Sequence, residues 1–280
     1  MKKTISFALL ALSVVGANGQ TPTAADYEGL SGTKTMVVTD ENMFSDYNMS
    51  VKDNIPKDWK LTQTEYISRK KFEQKRTDHA FSFLVTTTGY YKGDDSREKY
   101  TYMSLLMGKK GSQLTTMPDL ISVPLCYASV SDQNYVYKLP AIIRFMQKHV
   151  EKMKAEPKLI SDSPLLVYRK DKKSLSGKTL YLLKSELEKS IQSESALKKV
   201  YPYAVKIVSE DDIRKAIEEK DDNVVFLHKV GPEKSKNKAL CFKILMGAAD
   251  SEIYFFDYHK IDRKNGDYLR AKDLEKAAKN

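Results

Sequence analysis

Cysteine, tryptophan, glycine and proline are sparse in this sequence, and each shortage excludes a class of protein. The 280 residues include two cysteines, one tryptophan, 12 glycines and 9 prolines. Two cysteines are too few to hold a chain of this length together as a disulfide scaffold. The glycine and proline contents exclude a collagen-like repeat, and 41% apolar residues exclude a disordered chain. A globular protein of about two domains remains.

The two cysteines, Cys126 and Cys241, fall in different predicted strands and are not at equivalent positions of the repeat described below. Two interpretations stay open. Both are buried as small apolar side chains, or they form a disulfide between the two halves in an oxidising compartment.

Long apolar runs are also missing, except for one stretch at the amino terminus. Two lysines precede an apolar run over residues 5–15, and small residues follow up to Gly19. The run is shorter than the roughly 20 residues that span a bilayer, and its layout is typical of a bacterial secretory signal peptide. We expect cleavage after Gly19, with Ala17 as the alternative site, so that residues 1–19 form the signal peptide. The signal peptide predicts a periplasmic or extracellular protein. No cysteine lies near the cleavage region, so we do not expect a lipoprotein. No later apolar run is long enough to span a membrane, so we expect no transmembrane segment after signal removal.

A concentrated charge of one sign is missing as well. The chain has 47 basic and 37 acidic residues, a net charge of +10, and two of the lysines belong to the signal peptide. Residues 33–155 hold 19 basic and 14 acidic residues, and residues 177–280 hold 21 and 18. Nucleic-acid-binding proteins concentrate basic residues on one surface. The diffuse charge and the predicted export together predict no nucleic-acid partner.

The chain contains an internal repeat of about 140 residues. Each copy starts with a Ser-Gly turn, at Ser31 and Ser176, that leads into a short apolar strand. A later strand in each copy runs into Ser68 or Ser209, and serine is a favourable N-cap for the helix that follows. The remaining paired segments are predicted helices at 43–55 and 186–200, strands at 61–67 and 204–208, strands at 80–87 and 223–230, strands at 120–127 and 252–261, and closing helices at 139–154 and 268–279.

Two short matches strengthen this repeat. The third strand of each copy reaches a glycine, Gly89 or Gly231, and polar loops follow at 92–98 and 233–238. The fourth strand of each copy ends in the tripeptide Leu-Met-Gly, which closes at Gly247 in the second copy. Matches in the same order along both halves are not expected of unrelated α/β segments.

The repeat predicts an α/β fold of two tandem β-α-β-α-β-β-β-α units, each a mixed sheet with helices packed on it. The first two strands of a unit are parallel because a helix crosses between them. Short loops make the last three strands antiparallel. The predicted organisation is a signal peptide (1–19), a flexible amino-terminal tail (20–32), repeat 1 (33–155), a linker (156–176) whose residues 165–167 are a candidate edge strand, and repeat 2 (177–280).

The element order of each unit resembles the amino-terminal domain of TolB and the related periplasmic domain of the curli secretion protein CsgG. The resemblance covers each repeat in topology, and no motif or functional residue carries over with it. The whole chain also looks like uncharacterised secreted or periplasmic proteins of Gram-negative anaerobes. These resemblances imply an α/β protein of the cell envelope and imply no activity.

One group of residues is a candidate ligand-binding site. Asp257 and His259 lie two apart on a predicted strand and therefore share a face, and His228 lies in a strand of the same sheet. If the strands are neighbours, the three side chains gather around a ligand, a water or a metal. The alternative is that both histidines are hydrogen-bonded core or edge residues. No His-Glu-x-x-His, Cys-x-x-Cys or Gly-x-Ser-x-Gly pattern accompanies them, so we predict ligand binding there, with no metal, no cofactor and no catalytic residue.

The duplication without a coherent catalytic set favours a non-catalytic envelope scaffold that binds another protein or a polymer. The alternative is a small-ligand or glycan-binding protein, or a hydrolase, with its site in the cleft between the repeats, where pockets commonly form. A packed apolar seam between the repeats would favour the scaffold. A cleft lined by tyrosines and by Asp257 or His259 would favour the alternative.

Overall fold

The computed structural model describes residues 19–91, 96, 98–171, 173–231 and 238–279. Most of the predicted signal peptide and most of both predicted polar loops, at 92–98 and 233–238, lie outside the described residues. Within the described ranges, no helix is both long enough and apolar enough to cross a membrane.

The first unit is a five-stranded mixed sheet with helices on it. Its strands and helices are α1 (Ala24–Gly29), β1 (Lys34–Thr39), α2 (Asp46–Asp58), β2 (Thr64–Ser68), α3 (Arg69–Lys75), β3 (Phe81–Tyr90), β4 (Lys99–Met107), β5 (Asp119–Tyr127) and α4 (Leu139–Ala155). The strand order is β2-β1-β3-β4-β5. β1 pairs in parallel with β2 and β3, and the pairs β3–β4 and β4–β5 are antiparallel.

The second unit repeats this arrangement. Its elements are β6 (Thr179–Leu182), α5 (Glu194–Val200), β7 (Ala204–Ile207), α6 (Glu210–Glu218), β8 (Val224–Val230), β9 (Leu240–Gly247), β10 (Ile253–Lys260) and α7 (Ala271–Ala278). The strand order β7-β6-β8-β9-β10 matches that of the first unit strand for strand. The predicted fold of two tandem mixed-sheet α/β repeats is therefore confirmed.

Both serines predicted as N-caps are N-caps. The Ser68 hydroxyl accepts a hydrogen bond from the Lys71 N–H at 3.3 Å, and the Ser209 hydroxyl accepts one from the Asp212 N–H at 3.2 Å. The Asp212 carboxylate also accepts from the Ser209 N–H at 2.9 Å, which completes a capping box. Because caps satisfy amides that have no partner inside the helix, the local sequence fixes where α3 and α6 begin.

The prediction of a helix at 43–55 that ends at Pro56 is wrong at both ends. The helix runs over Asp46–Asp58 and contains the proline in its last turn. Proline lacks the N–H that would donate to the carbonyl of Lys52. The Tyr66 hydroxyl lies at this place instead, 3.4 Å from the Val51 carbonyl oxygen and 3.5 Å from the Lys52 carbonyl oxygen. A side chain from a neighbouring strand thus compensates for the proline, and the helix continues through it.

The predicted helix at 186–200 is also too long, since only Glu194–Val200 is α-helical. The preceding residues pair with the segment in front of α7. The Glu188 N–H donates to the Leu269 carbonyl at 3.0 Å, and the Leu269 N–H donates to the Glu186 carbonyl at 2.8 Å. These backbone groups are engaged in a tertiary bridge and are not available for a helix.

Two connecting segments differ from expectation too. Residues 165–167, a candidate edge strand, lie in a 3₁₀ helix over Pro164–Arg169 that packs beside β10. Residues 20–32, predicted to be a flexible tail, contain α1 and the buried Tyr27. The Tyr27 hydroxyl donates to the Leu120 carbonyl at 2.6 Å, which ties this segment to β5.

One apolar core is shared by both units, and the faces that form it are not equivalent. The first crossover helix of unit 1 contributes Val51 to the shared core, whereas its counterpart in unit 2 places Leu197 in a separate core. The second crossover helix does the reverse, with Phe72 in a separate core in unit 1 and Ile213 in the shared core in unit 2. The two copies therefore pack through opposite faces of the same fold.

The seam between the units is apolar with a few polar ties. The Tyr127 hydroxyl donates to the Leu240 carbonyl at 3.1 Å, and the Leu240 N–H donates to the Tyr100 hydroxyl at 2.9 Å. Arg144 on α4 donates to the Ala248 carbonyl at 2.8 Å and to the Ser251 hydroxyl at 2.9 Å. The units are therefore packed against each other at these residues, and the cavity between them, described below, is lined by other residues.

Candidate functional site

The structure separates the three residues predicted to form a site. On the second sheet, Asp257 is opposite Lys243, which is opposite Lys229, so these side chains project to one face. His259, two residues after Asp257, shares that face. His228 precedes Lys229 by one residue and therefore projects to the other face, toward unit 1. The predicted cluster of two histidines and one aspartate does not form.

Asp257 and His259 belong to an ionic network between the sheet and its neighbouring segments. The Asp257 carboxylate accepts from Lys276 at 3.0 Å and from Arg169. Lys243 donates to Nδ1 of His259 at 2.8 Å, while Nε2 of the same ring donates to the Gly266 carbonyl at 2.9 Å. Burial and the nearby Lys243 ammonium lower the pKa of His259 to about 4. The imidazole is neutral at pH 7, and both of its nitrogens are engaged.

The centre of this network is completely buried. Lys243 lies 3.2 Å from the Asp273 carboxylate, and neither side chain is exposed. Arg270 donates to the same carboxylate through two nitrogens, at 2.7 and 2.8 Å. Despite burial, which raises it, the pKa of Asp273 is lowered to about 2 by the hydrogen bonds from Arg270 and by Lys243. These groups satisfy one another and hold α7 on the sheet, so the network is structural.

His228 is a buried histidine at the seam between the units. Its Nε2 lies 2.8 Å from the Pro124 carbonyl and donates to it, which leaves Nδ1 as an acceptor. Nδ1 is buried and has no hydrogen-bond partner among the described residues. Burial and the nearby Lys138 ammonium lower the pKa of His228 to about 3. This is the core-histidine alternative considered for it above.

A cavity of about 280 Å³ lies between the two units. It opens where the carboxyl ends of β6 and β8 meet. The connection that leaves β6 leads to β7 on one side, and the connection that leaves β8 leads to β9 on the other side. This crevice is therefore the topological switch point, the place at which open α/β sheets bind ligands. The lining residues are Leu125, Cys126, Val130, Asn134 and Tyr137 from unit 1, and Leu183, Ser185, Glu186, Glu210, Lys229, Gly231 and Asp267 from unit 2.

Buried charge lies against this cavity. Lys138 is 1% exposed, and its Nζ lies 3.7 Å from Oε1 of Glu186. Burial lowers the pKa of Lys138, and the carboxylates of Glu186 and Glu210 counteract that effect. Oε2 of Glu186 is buried and accepts no hydrogen bond within the described ranges. An unpaired buried carboxylate oxygen is costly, so this atom offers a bond to a donor that enters the cavity.

A second ion pair shapes another wall of the cavity. Lys229 lies 2.9 Å from the Asp267 carboxylate, and both side chains are largely buried. A Cβ on Gly231 would lie 1.7 Å from Oδ1 of Asp267. Only glycine permits this approach, so Gly231 positions the pair at the end of β8.

The cysteines do not form a disulfide. Cys126 lines the cavity, Cys241 lies in β9, and both are buried and free. Burial raises the pKa of the Cys126 thiol to about 11. The thiol is protonated at pH 7 and therefore a poor nucleophile.

None of the three predicted site residues lines this cavity. Glu186 falls inside the predicted helix at 186–200, whose first half is not α-helical, and Gly231 was predicted only as the end of a strand. A β-α-β-α-β segment is compatible with more than one strand order, and the order β7-β6-β8 found in the structure places the carboxyl ends of the first and third strands side by side.

No three histidine, cysteine, aspartate or glutamate side chains of the described residues are close enough together to hold a metal ion. Comparisons of the chain with protein-family models, with curated proteins and with solved structures found no match. The likeness to the TolB and CsgG domains stays a prediction.

Proposed function

We propose that this protein is an exported, non-catalytic binding protein that holds a small polar ligand in the cavity between its two units. The observation that carries the proposal is the buried Oε2 of Glu186, which has no partner among the described residues although a cavity lies beside it. A donor from a ligand would satisfy this oxygen where burial has removed it from water. The lysine pair and apolar run before Gly19 support export.

The charge of the lining indicates the ligand class. Among the described residues that line the cavity, three carry carboxylates and one, Lys229, carries a basic side chain. Lys138 behind Glu186 supplies a second positive charge. One negative charge is left over, so the cavity favours a small molecule that carries an amine. Leu125 and Val130 offer apolar contact to its carbon atoms.

The state of the lining groups supports binding over catalysis. A thiol with a pKa of about 11, at Cys126, is not an activated nucleophile. Neither histidine of the separated cluster lines the cavity. The described lining residues thus supply hydrogen-bond acceptors, at Glu186, Glu210 and Asp267, and a shaped wall.

The proposal is tested by blocking the cavity mouth. Ser185 is exposed and lines the cavity, whereas Ser190 is exposed and does not. Ligand-observed NMR with ethanolamine and glucosamine, and with ethylene glycol and glucose as their uncharged counterparts, measures binding to the full chain. We expect at least one amine to bind more tightly than its counterpart, with a loss of at least tenfold in Ser185→Trp and no change in Ser190→Trp. Equal binding of amines and counterparts, or equal affinities in the two variants, contradicts the proposal.

A separate surface supports a second function, the binding of another protein. Met43, Phe44 and Met49 are 68%, 83% and 51% exposed around the start of α2. Clustered exposed apolar side chains are typical of interaction sites. Crosslinking in the native envelope tests this function: a partner captured by the wild type is expected to be lost in Phe44→Ser and kept in Ser190→Trp. Equal capture by both variants contradicts a role for this surface.

A further inference from the structure

Asp119, the first residue of β5, carries a carboxyl group without a full set of partners. The Ser122 hydroxyl donates to Oδ2 at 2.6 Å. Oδ1 is buried and accepts no hydrogen bond within the described ranges. Burial raises the pKa of this carboxyl to about 6, although the Ser122 hydroxyl and the nearby backbone N–H groups of Gly19 and Ile121 lower it. A positive charge near Oδ1 would stabilise the ionised form.

The chain on either side of the predicted cleavage site lies directly against this carboxyl. The Gln20 N–H donates to the Met117 carbonyl at 2.8 Å, and the Asp119 N–H donates to the Gln20 carbonyl at 3.1 Å. These two bonds form an isolated parallel bridge at the edge of the first sheet. The Lys109 ammonium also donates to the Gln20 side-chain oxygen. Gln20 is thus held in register with β5.

Gly19 is pressed against the same place. A Cβ at this position would lie 2.4 Å from the Met117 carbonyl oxygen and 2.8 Å from Cβ of Asp119. The backbone of the last predicted signal residue therefore occupies the space next to the Asp119 side chain. Its removal would open that space to whatever group the new terminus carries.

We propose that hydrolysis of the Gly19–Gln20 peptide bond creates an α-ammonium group at Gln20 that pairs with the buried Asp119 carboxylate. A signal peptidase adds one water across the bond. Gly19 leaves with the new carboxylate, and the Gln20 nitrogen is retained as an amine that takes up a proton. The proposal rests on the predicted export and is independent of the ligand cavity.

The geometry gives the new group two kinds of partner. An ammonium has three N–H donors, so one continues to bond the Met117 carbonyl and the others are free to turn toward Oδ1 of Asp119. The amino group is mostly protonated near neutral pH, since its ordinary pKa is about 7.7–8.0. Processing would thereby fix residues 20–32 on the edge of β5 by an ion pair that the precursor lacks.

The first test is a titration. The full chain is made by cell-free synthesis without a peptidase and is compared with the chain recovered from an exporting bacterium, whose first residue is identified by intact mass. Carboxyl ¹³C NMR then measures the pKa of Asp119 in both. An ammonium within about 4–6 Å lowers a carboxyl pKa by about 1–3 units, so we expect a fall of at least one unit on processing. An unchanged pKa, a different first residue, or cyclisation of Gln20 with loss of ammonia overturns the proposal.

The second test measures the reactivity of the new terminus. An ion-paired ammonium is a poor nucleophile, so acetylation of the Gln20 α-amine near pH 6.5 is expected to be at least tenfold slower in the mature wild type than in Asp119→Asn. Asp53→Asn, at an exposed carboxylate on α2, is the matched control and should react like the wild type. Equal rates in all three proteins overturn the proposal. If Asp119→Asn does not fold, the titration decides without it.

Discussion

The two units share one strand order but satisfy their buried polar groups in different ways. Ser104 and Lys243 are equivalent, each two residues before the leucine of the Leu-Met-Gly tripeptide. The Ser104 hydroxyl is linked to the hydroxyls of Thr87 at 2.9 Å and Ser122 at 2.7 Å. Lys243 is instead paired with the Asp273 carboxylate at 3.2 Å. One backbone therefore accepts either a chain of hydroxyl groups, which ends at the Asp119 carboxyl, or a network of buried ion pairs on the same face.

The helix that closes each unit explains this difference. In unit 2, α7 covers the outer face of the sheet and supplies Asp273 to the network. In unit 1, α4 packs into the shared core, with Ile142 and Phe145 among its buried residues, and brings no charge to the outer face. A lysine at position 104 would therefore lack the carboxylate that α7 supplies to Lys243.

The two units also differ at the residue that follows the capping serine of the second crossover helix. Arg69 and Glu210 are equivalent residues, each directly after a capping serine. In unit 1 the Arg69 guanidinium reaches β3 and donates to the Thr86 carbonyl at 2.7 Å. In unit 2 Glu210 lines an open cavity. The equivalent residues thus differ in role, because Arg69 bonds to the neighbouring strand in unit 1 and Glu210 lines a cavity in unit 2.

The largest expected effect comes from breaking the ionic network with Asp273→Asn. Lys243 and Arg270 would be left buried without their charge partner, and removing one member of a buried pair costs about 3–5 kcal/mol. Urea denaturation of the full chain at pH 7 should show this loss in the free energy of unfolding. The control Asp53→Asn removes an exposed pair with Lys57 and should change it by less than about 1 kcal/mol. Similar losses in the two variants would show that the network is not stabilising.

His228→Leu makes the inner faces of the two sheets alike, because Leu84 is the equivalent residue of unit 1. The pKa of His228 is lowered to about 3, so below about pH 6.5 the unfolded chain binds a proton that the folded protein does not. The contribution of this residue to stability is full above about pH 6.5 and falls as the pH drops toward 3, by about 2 kcal/mol at pH 5.

We therefore expect two effects of opposite sign in His228→Leu. At pH 7 the variant loses the hydrogen bond to Pro124 and about 1 kcal/mol of stability. When the pH is lowered from 7 to 5, the free energy of unfolding of the variant should fall by about 2 kcal/mol less than that of the wild type. Urea denaturation at both pH values measures this. The exposed His79 is the control site, and an acid response of His228→Leu equal to that of His79→Leu would contradict the assignment.

The smallest expected effect on stability comes from the hydroxyl network of unit 1. Ser104→Ala removes the hydroxyl that joins Thr87 to Ser122, and a neutral hydrogen bond contributes about 1 kcal/mol. The same denaturation experiment should show a loss of about that size, well below that of Asp273→Asn. A loss in Ser104→Ala as large as in Asp273→Asn would remove the distinction between the two networks.

Local patterns predicted the elements whose limits local chemistry sets. The two serine caps and the repeated tripeptide were correct because a cap bond or a strand end depends on a few neighbouring residues. The helix predicted at 186–200 failed because Leu269, about 80 residues away, pairs with its first half. The helix through Pro56 was missed because Tyr66, on another strand, compensates for the proline.

The predicted site failed for a related reason. Strand alternation correctly placed Asp257 and His259 on one face, since side chains alternate along any strand. The register of β8 against β9 decides that His228 is on the other face, and the sequence of one strand does not contain that register.

By itself, the sequence determined the duplication, the strand–helix order and the caps, because each depends on periodicity and on contacts within a few residues. Tertiary structure alone decided that the units pack through opposite faces, that a cavity forms between Tyr137 of one unit and Glu186 of the other, and that Asp119 lies against Gly19. Those features join residues distant in sequence, and burial, which sets their charge states, is a property of the packed protein.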